Sequence, residues 1–454
     1  MKDGPEPQVA SLLSLADQCV KCGYCLPHCP TFKLAHDEGE SPRGRIALIQ
    51  GWLGGEIADG PRLARHLDNC LECRACEPSC PSLVRYGALM DGARALREQR
   101  RPRWRRWLRR AALALLTRPD GLRLLALVGI GYRWLRLPRP WVAGLAKRWP
   151  AVRVLDPLAR ALRWPRAPVR SRWVQPAPAC YASARSAFAP SAPAQSGSAR
   201  SGSAGTAAAG PEIEAARVRP ILFRGCVARL TDQPLEAAAQ RLLARLGYPV
   251  EVPNDQVCCG AIHRHNGYPA QADQRLAINA RRFGERVIIG LASACVAELR
   301  EQGGLNAVEI CRFLLDQPWP AGLQLRSLPA RIAVHEPCSH RNQLRDQGAI
   351  DALLRRIPAA TRIPLPGNDT CCGAAGTYLT EHPQIALALA EPKIEALRRL
   401  APDYLVTTNT GCALHLAARL DEAGLAIPVL HPIQLIEQQL PIDPEGASHP
   451  HEHP

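Results

Sequence analysis

The sequence predicts a multidomain protein of the α + α/β class, in which a helical N-terminal domain and a basic helical connector precede two tandem α/β domains. From residue 218 onwards, short β-rich runs alternate with helical patterns, which is typical of parallel sheets covered by helices. A cysteine pattern occurs twice in the same half. In the N-terminal part of the chain, two runs of four cysteines are separated by 40 residues, which predicts metal-binding loops separated by an inserted pair of helices.

The spacing of the N-terminal cysteines indicates iron–sulfur chemistry. Each run is C-x₂-C-x₂-C-x₃-C followed by proline, and the two runs are Cys19, Cys22, Cys25, Cys29 and Cys70, Cys73, Cys76, Cys80. Three closely spaced thiolates can ligate three irons of one cubane cluster. In two-cluster ferredoxins the last cysteine of each run ligates the other cluster. We therefore expect two [4Fe-4S] clusters in a helical two-cluster ferredoxin domain. Their predicted ligands are Cys19, Cys22, Cys25 and Cys80 for one, and Cys70, Cys73, Cys76 and Cys29 for the other.

Zinc is the alternative for these cysteines, since it also takes four thiolates from C-x₂-C pairs. Zinc sites usually pair two separated C-x₂-C units. They do not show a third cysteine and a Cys-Pro ending in both copies, so the pattern favours iron–sulfur clusters. Between the runs, Ser41 and Pro42 predict the start of an amphipathic helix. Arg43 and Arg45 in that helix either offset the negative charge of a cluster or are solvated.

The C-terminal half contains an internal repeat of single cysteines around a Cys-Cys-Gly motif. The first copy is Cys226, Cys258, Cys259 and Cys295, and the second is Cys338, Cys371, Cys372 and Cys412. The single cysteines follow predicted strands, whose ends gather at one edge of a parallel sheet, where ligands bind in such folds. Four cysteines in each copy suit one or two further iron–sulfur clusters, and glycine lets the backbone pass close to them. Buried apolar cysteines in a core are the other interpretation.

The net charge of +16 belongs to one segment. Residues 94–173 contain 22 Lys and Arg, three acidic residues and seven of the nine tryptophans. On a helical wheel, Trp104, Trp107 and Leu108 share one face, with arginines opposite. This pattern suits the headgroup region of an anionic membrane or a partner subunit. An ordinary basic connector and nucleic-acid binding are the alternatives, and we expect no nucleic acid.

Composition and pattern also give the predicted division of the chain. The residues before Cys19 contain no apolar run of the kind found in secretory signal peptides, which predicts a reducing cytoplasmic location. The longest uncharged run of the basic segment has nine residues, against the ~20 that span a bilayer. Cys180 lies in an Ala/Ser-rich stretch and is interpreted as a bystander thiol. The predicted segments are the ferredoxin-type domain 1–95, basic helical segment 96–175, flexible linker 176–216, cysteine-rich copies 217–328 and 329–440, and disordered tail 441–454.

Several local motifs carry a resemblance to a known family. The Cys-Cys-Gly repeat resembles the module of heterodisulfide reductase and of iron–sulfur subunits of 2-hydroxyacid and glycerol-3-phosphate dehydrogenases. Joined to the paired cysteine runs, it resembles most the iron–sulfur subunits of bacterial glycolate oxidase. The resemblance covers about 1–95 and 218–440. Its motifs begin at Cys19 (CVKCGYC), Ser41 (SPRGR), Cys371 (CCGAAGTY), Thr408 (TNTGC) and His431 (HP).

The resemblance implies an electron-transfer subunit that serves a separate FAD-containing dehydrogenase, with no catalytic acid or base of its own. The partner would oxidise glycolate to glyoxylate, and this chain would pass electrons towards a quinone or other membrane acceptor, peripherally attached to the inner face of the cell membrane. Gly129-Ile130-Gly131 lacks the third glycine of a dinucleotide motif. His335, His340 and His431 near the repeat are interpreted as satisfied structural histidines, with a role beside the metal as the alternative.

Three rival functions remain at this point. The same kind of subunit serves lactate or anaerobic glycerol 3-phosphate dehydrogenases. A heterodisulfide-reductase-like protein is disfavoured, because that module ends each copy in C-x₂-C. Here Val296, Ala297 and Glu298 follow Cys295, and Cys412 is followed by Ala413, Leu414 and His415. A zinc or nucleic-acid protein without redox function is the third rival.

Overall fold

The computed structural model describes residues 7–134 and 219–441 of the 454-residue chain. The predicted linker with Cys180, the basic segment beyond residue 134 and the tail from residue 442 lie outside the described residues. Within them, the helical N-terminal domain and the parallel-sheet C-terminal copies confirm the predicted α + α/β class.

The N-terminal domain consists of helices that surround the two cysteine loops. Its helices are α1 (Pro7–Asp17), α2 (Pro30–Ala35), α3 (Pro42–Leu53), α4 (Pro61–Asp68) and α5 (Tyr86–Arg100), with 3₁₀ turns at Leu26–His28 and Glu38–Glu40. Helix α3 begins as predicted, because the Ser41 hydroxyl accepts a hydrogen bond from the Gly44 amide and Pro42 occupies the first turn. Helices α3 and α4 are the inserted pair. Ile49 of α3 and Leu67 of α4 belong to the same buried hydrophobic cluster as Leu89 of α5.

Two further helices follow, α6 (Arg103–Thr117) and α7 (Pro119–Trp134). Leu113 and Thr117 of α6 are buried, as is Leu122 of α7. Among the described residues, no helix combines the length and apolar character needed to cross a membrane.

The C-terminal half folds into two parallel sheets, one for each copy of the repeat. The first sheet has the order β1-β2-β3, with β1 Ile221–Phe223, β2 Ile288–Gly290 and β3 Ala307–Glu309. The second has the order β5-β4-β6-β7, with β4 Arg331–Val334, β5 Thr361–Pro364, β6 Tyr404–Val406 and β7 Val429–Leu430. Strands β1, β2, β4 and β6 coincide with the predicted runs.

Helices cover both sheets. Those of the first copy are α8 (Ala228–Thr231), α9 (Gln233–Arg245), α10 (Ala261–Arg264), α11 (Pro269–Phe283), α12 (Ser293–Glu301) and α13 (Ile310–Asp316). Those of the second copy are α14 (Ala349–Leu354), α15 (Tyr378–Glu381), α16 (Pro383–Leu400), α17 (Thr410–Glu422) and α18 (Pro432–Gln438), with a π turn at Ser339–Gln343.

The two copies share one hydrophobic core, and the carboxyl ends of their strands face each other. Leu222 and Ile289 of the first sheet belong to the same cluster as Ile332 and Val406 of the second. Just beyond the strand ends, the hydroxyls of Ser293 and Ser339 lie 2.7 Å apart, and the Ser293 amide donates to the Thr408 carbonyl at 2.9 Å. Residues that follow the strands in either copy are therefore brought to one region.

Candidate metal centres

The two N-terminal cysteine loops have the same backbone conformation. In the first loop Lys21 and Gly23 have φ of 57° and 91°, and in the second the equivalent Glu72 and Arg74 have φ of 51° and 56°. Three of these four residues carry a Cβ, which makes the left-handed conformation unfavourable unless the surroundings require it. The conformation turns backbone amides towards the thiols, as shown by the Glu72 amide, which donates to the Cys70 sulfur at 3.4 Å.

The structure brings Cys80 to the first run. One small cavity is lined by the three leading cysteines of that run together with Cys76 and Cys80. Burial and the neighbouring thiols of Cys19 and Cys22 raise the pKa of Cys25. Cys22 is exposed, so this set of thiols lies at the protein surface.

Cys29 is brought instead to the second run. Burial and the nearby thiols of Cys73, Cys70 and Cys29 raise the pKa of Cys76 well above its usual value. Thiols buried among thiols lose their protons only when a cation compensates the thiolate charge, because desolvation and mutual repulsion both oppose ionisation. The two groups of four therefore fit as ligands of metal clusters.

Arg45 is the cation buried beside the second set. Its side chain is 1% exposed, and its guanidinium lies 3.9 Å from the Cys29 sulfur. It pairs with the buried Glu40 carboxylate at 2.6 Å and donates to the Thr31 hydroxyl at 3.0 Å. Arg43, by contrast, is partly exposed and pairs with Glu38. Arg45 is thus placed to offset charge on the second set of sulfur ligands. The partly exposed Arg43 lies beside Cys22 and Cys25 of the first set.

In the first Cys-Cys-Gly copy, the four cysteine thiols lie in a row in which each thiol contacts the next. Cys226 follows β1 and Cys295 lies in the first turn of α12, while the loop between α9 and α10 supplies the adjacent pair Cys258 and Cys259. Cys226 contacts Cys258, and Cys259 contacts Cys295. Contact with Cys258 and burial raise the pKa of Cys226 well above its usual value.

The second copy repeats this arrangement with the equivalent residues. The Cys338 sulfur lies 3.9 Å from the Cys371 sulfur, and the Cys372 sulfur lies 3.2 Å from that of Cys412. Contact with Cys371 and burial raise the pKa of Cys338 well above its usual value. Both copies thus place four thiols together at the strand ends, as the repeat predicted, and these sets also fit as metal ligands.

Glycine is required after each cysteine pair for two physical reasons. Gly260 and Gly373 have φ of 106° and 92°, which favour glycine over any residue with a Cβ. A Cβ on Gly373 would also meet the Ala386 carbonyl oxygen at 2.6 Å, and one on Gly260 would meet Ala272 at 3.0 Å. The glycines therefore let each loop approach the helix behind it, as predicted.

The N-terminal domain docks directly on the cysteine-rich copies. The Asn342 side chain donates to the Cys73 carbonyl at 2.8 Å, and the Tyr378 hydroxyl donates to the Asn69 carbonyl at 3.0 Å. Burial and the proximity of Cys338 raise the pKa of Cys73 well above its usual value. A cavity of about 660 Å³ lies between the domains and is lined by Cys70 and by thiols of both copies.

Sequence reasoning missed a charged group at the wall of this cavity. Burial opposes ionisation of Glu72, but Arg94 and His265 lower the pKa of its carboxyl to about 2. Arg94 also donates to the His265 carbonyl at 3.0 Å, so the group joins the N-terminal domain to the first copy. No spacing rule relates residues that are 171 positions apart, and only the fold brings them together.

The three histidines near the repeat differ from one another. His335 pairs with the Thr407 hydroxyl at 3.0 Å and lies with Cys372 and Cys412 in one group of ligand-type atoms. His340 and His431 each have a hydrogen-bond partner at Nδ1, whereas the buried Nε2 of each has none among the described residues.

Comparison with known families agrees with both halves of the chain. Residues 15–104 match the model of a 4Fe-4S dicluster domain, and residues 221–300 and 332–417 match that of a cysteine-rich domain named CCG. The prediction of several iron–sulfur clusters is thereby confirmed.

Curated relatives cover nearly the whole chain. The chain is 30% identical to the glycolate oxidase iron-sulfur subunit of Escherichia coli K12, over 94% of this chain and 95% of that protein. It is 26% identical to a probable glycolate oxidase iron-sulfur subunit of Bacillus subtilis 168, over 90% of both. Lactate utilization protein A of Geobacillus thermodenitrificans NG80-2 is 25% identical over 48% of this chain and 98% of that protein. The chain therefore belongs to the family of glycolate oxidase iron–sulfur subunits, which are subunits of oxidoreductases.

Proposed function

We propose that this chain is the electron-transfer subunit of a glycolate dehydrogenase, serving a flavoprotein subunit that oxidises glycolate to glyoxylate. The observation that carries the proposal is the contiguity of the thiol sets. They extend from the exposed Cys22, through the loop of Cys73, to Cys338 and the buried Cys412. Iron–sulfur clusters bound to such thiols supply one-electron transfer.

The ligand assignment is part of this proposal. One [4Fe-4S] cluster takes Cys19, Cys22, Cys25 and Cys80, and the other takes Cys70, Cys73, Cys76 and Cys29. The further ligands are Cys226, Cys258, Cys259 and Cys295 in the first copy, and Cys338, Cys371, Cys372 and Cys412 in the second. The gathering of each set supports the assignment, because every member is buried with, or in contact with, others of its own set.

The substrate is tested by purifying the complex from its native host and adding candidate substrates anaerobically. We expect an FAD-containing protein to copurify with the chain, and we expect glycolate to bleach the visible absorption of the iron–sulfur clusters. Lactate and glycerol 3-phosphate serve as matched substrates. If either bleached the clusters at least ten times faster than glycolate at equal concentration, the glycolate assignment would be wrong and the corresponding alternative would replace it.

The chain's own helices α6 and α7 support attachment to an anionic membrane surface. Trp104, Trp107 and Leu108 are 60%, 68% and 50% exposed, and Leu124 and Leu127 of α7 are also exposed. Such a group of exposed apolar side chains is characteristic of an interaction site. Tryptophan beside arginine is suited to the headgroup region of a membrane.

The orientation of α6 is fixed by Arg109 and Arg110, which contact the rest of the protein. Arg109 donates to Asn266 at 3.0 Å and pairs with Glu381 at 2.7 Å, and the Arg110 guanidinium lies over the Tyr268 ring. The helix therefore presents its tryptophans outward. We propose that this face attaches the subunit to the inner surface of the cell membrane, where a quinone accepts the electrons.

Replacing Trp104 and Trp107 together by alanine is expected to weaken binding to phosphatidylglycerol vesicles by at least about tenfold, because two large aromatic contacts with the headgroup region are lost. Cosedimentation of the full chain with the vesicles measures the effect. Leu83→Ala is the control, since Leu83 is 79% exposed but lies outside the helix pair. Unchanged binding of the double variant, or equal binding to neutral phosphatidylcholine vesicles, would contradict the membrane proposal. Loss of the copurified flavoprotein with normal vesicle binding would assign this face to the partner subunit.

A further inference from the structure

Two equivalent helix starts meet between the cysteine-rich copies. In the first copy Glu309 ends β3 and caps α13, and in the second His431 follows β7 and caps α18. One polar atom of each side chain binds its own helix: Glu309 Oε2 accepts from the Cys311 amide at 2.8 Å, and His431 Nδ1 accepts from the Ile433 amide at 3.3 Å. The second polar atoms, Glu309 Oε1 and His431 Nε2, lie 3.7 Å from each other.

The remaining polar atoms of this junction are buried without a partner. Glu309 Oε1, His431 Nε2 and His340 Nε2 have no hydrogen bond to any described residue, and all three side chains are less than 6% exposed. The other ring nitrogen of His340 is oriented by the Thr408 hydroxyl at 3.3 Å, and His340 Nε2 stands 4.0 Å from Asp346. Buried polar groups are almost always satisfied, so several unpaired atoms in one place indicate a missing partner.

Cys311 completes a mixed set of donors at the same point. Its thiol is fully buried, and it lies with a Glu309 oxygen and a His431 ring nitrogen in a group whose atoms are all within 4.8 Å of one another. Two ligands about 2.1 Å from a tetrahedral ion are about 3.4 Å apart, which is close to the 3.7 Å between Glu309 Oε1 and His431 Nε2. The spacing therefore suits a small ion.

We propose that Cys311, Glu309 and His431 bind one Zn²⁺ ion, with a water molecule as the fourth ligand. A site to which the protein supplies one sulfur, one oxygen and one nitrogen donor suits zinc, whereas magnesium and calcium prefer oxygen ligands alone. One thiolate and one carboxylate neutralise the double charge of the ion, so the buried site carries no net charge. The ion joins the last strand–helix junctions of the two copies and is distinct from the iron–sulfur ligands.

A hydrogen bond between a protonated Glu309 and His431 is the competing explanation. The separation of 3.7 Å is too long for such a bond in the structure as it stands. An ion between Glu309 Oε1 and His431 Nε2 gives both of these unpaired atoms a partner and is also within reach of the Cys311 sulfur, which is why we favour the metal.

Zinc content and X-ray absorption on the full chain, purified anaerobically without chelators, test the site directly. We expect about one zinc per chain, with one sulfur at about 2.3 Å and three nitrogen or oxygen ligands at about 2.0–2.1 Å. A shell of four sulfurs would put the zinc on the Cys-Cys-Gly thiols and overturn the proposal. Less than about a tenth of a zinc per chain at full iron content would overturn it as well and favour the protonated Glu309.

Variants locate the ion. Cys311→Ala and His431→Gln are each expected to lower zinc content at least about tenfold while iron content stays unchanged, and the retained iron shows that the chain is folded. Cys259→Ser is the matched control, which should keep its zinc. Unchanged zinc in both Cys311→Ala and His431→Gln would refute the site. The absorption measurement on the unaltered chain decides the question if either variant fails to fold, and neither test depends on the proposed dehydrogenase function.

Discussion

Replacement of Arg45 by methionine is expected to destabilise the N-terminal domain by about 3–5 kcal/mol, because it leaves a buried carboxylate without its cation. Glu40 and Arg45 have side chains that are only 6% and 1% exposed. Glu40 would retain His66 and Asn69, which contact the same carboxylate oxygen at 2.8 and 2.9 Å, but would lose the guanidinium on the other. Removing Arg45 also takes a positive charge from beside the Cys29 sulfur.

The measurement is the temperature at which the visible cluster absorption is lost on anaerobic heating. In a domain of about 100 residues, a loss of this size corresponds to a decrease of at least about 10 °C. Arg43→Met is the matched control, since Arg43 and its partner Glu38 are both partly exposed and such pairs contribute about 0–1 kcal/mol. A decrease for Arg45→Met no larger than that for Arg43→Met would show that the buried pair is not needed.

The double variant Arg45→Met with Glu40→Gln separates the two causes of the effect. It removes both charges, so the unpaired carboxylate no longer contributes, and we expect it to recover part of the lost stability. The deficit that remains comes in part from the hydrogen bonds that Arg45 makes to Thr31 and to the His66 and Glu40 carbonyls. The other part comes from the contacts of the Glu40 carboxylate with His66 and Asn69.

The cysteine spacing predicted which thiols lie close together. The hydrophobic periodicity predicted only some of the strands in the two sheets. A run of cysteines at intervals of three constrains a short loop, and its ligand geometry leaves few arrangements. Strands β3, β5 and β7 are similar in length to the strands that were predicted, but they were missed because none of them contains a run of three apolar residues. The half-exposed β5 also lacks the alternation of a longer strand. Such short strands are defined by the neighbours they pair with, and these contacts are not present in local sequence.

The remaining differences arise from contacts between distant parts of the chain. The wheel of α6 placed tryptophans and arginines on opposite faces, but only the structure shows that Arg109 turns inward, because its partners Glu98, Asn266 and Glu381 come from three different elements. Cys311 carried no signal as a single cysteine outside the repeat. In the fold, Cys311 lies beside His431, 120 residues further along the chain, and this position makes it a candidate metal ligand.

Cys372→Ser is expected to remove the iron held by the second cysteine-rich copy, about four atoms if that copy binds a whole cluster. Cys372 is buried between Cys371 and Cys412, and serine cannot replace the soft thiolate that iron–sulfur clusters require. Iron and acid-labile sulfide per chain, with low-temperature EPR spectra, measure the change. Cys311→Ala is the control, because it removes a buried thiol from outside the eight thiols of the repeat. About eight irons in the unaltered chain and in Cys372→Ser alike would mean that these thiols bind no cluster.

The number of further clusters follows from combining Cys372→Ser with Cys259→Ser. If each copy holds a cluster of its own, the two losses of iron add in the double variant, because the sites are independent. The copies also line one cavity, so their thiols can instead serve a single shared cluster. In that case either single variant already loses all the iron of this half, and the double variant loses no more. Additive losses therefore indicate four clusters in the chain, and equal losses indicate three.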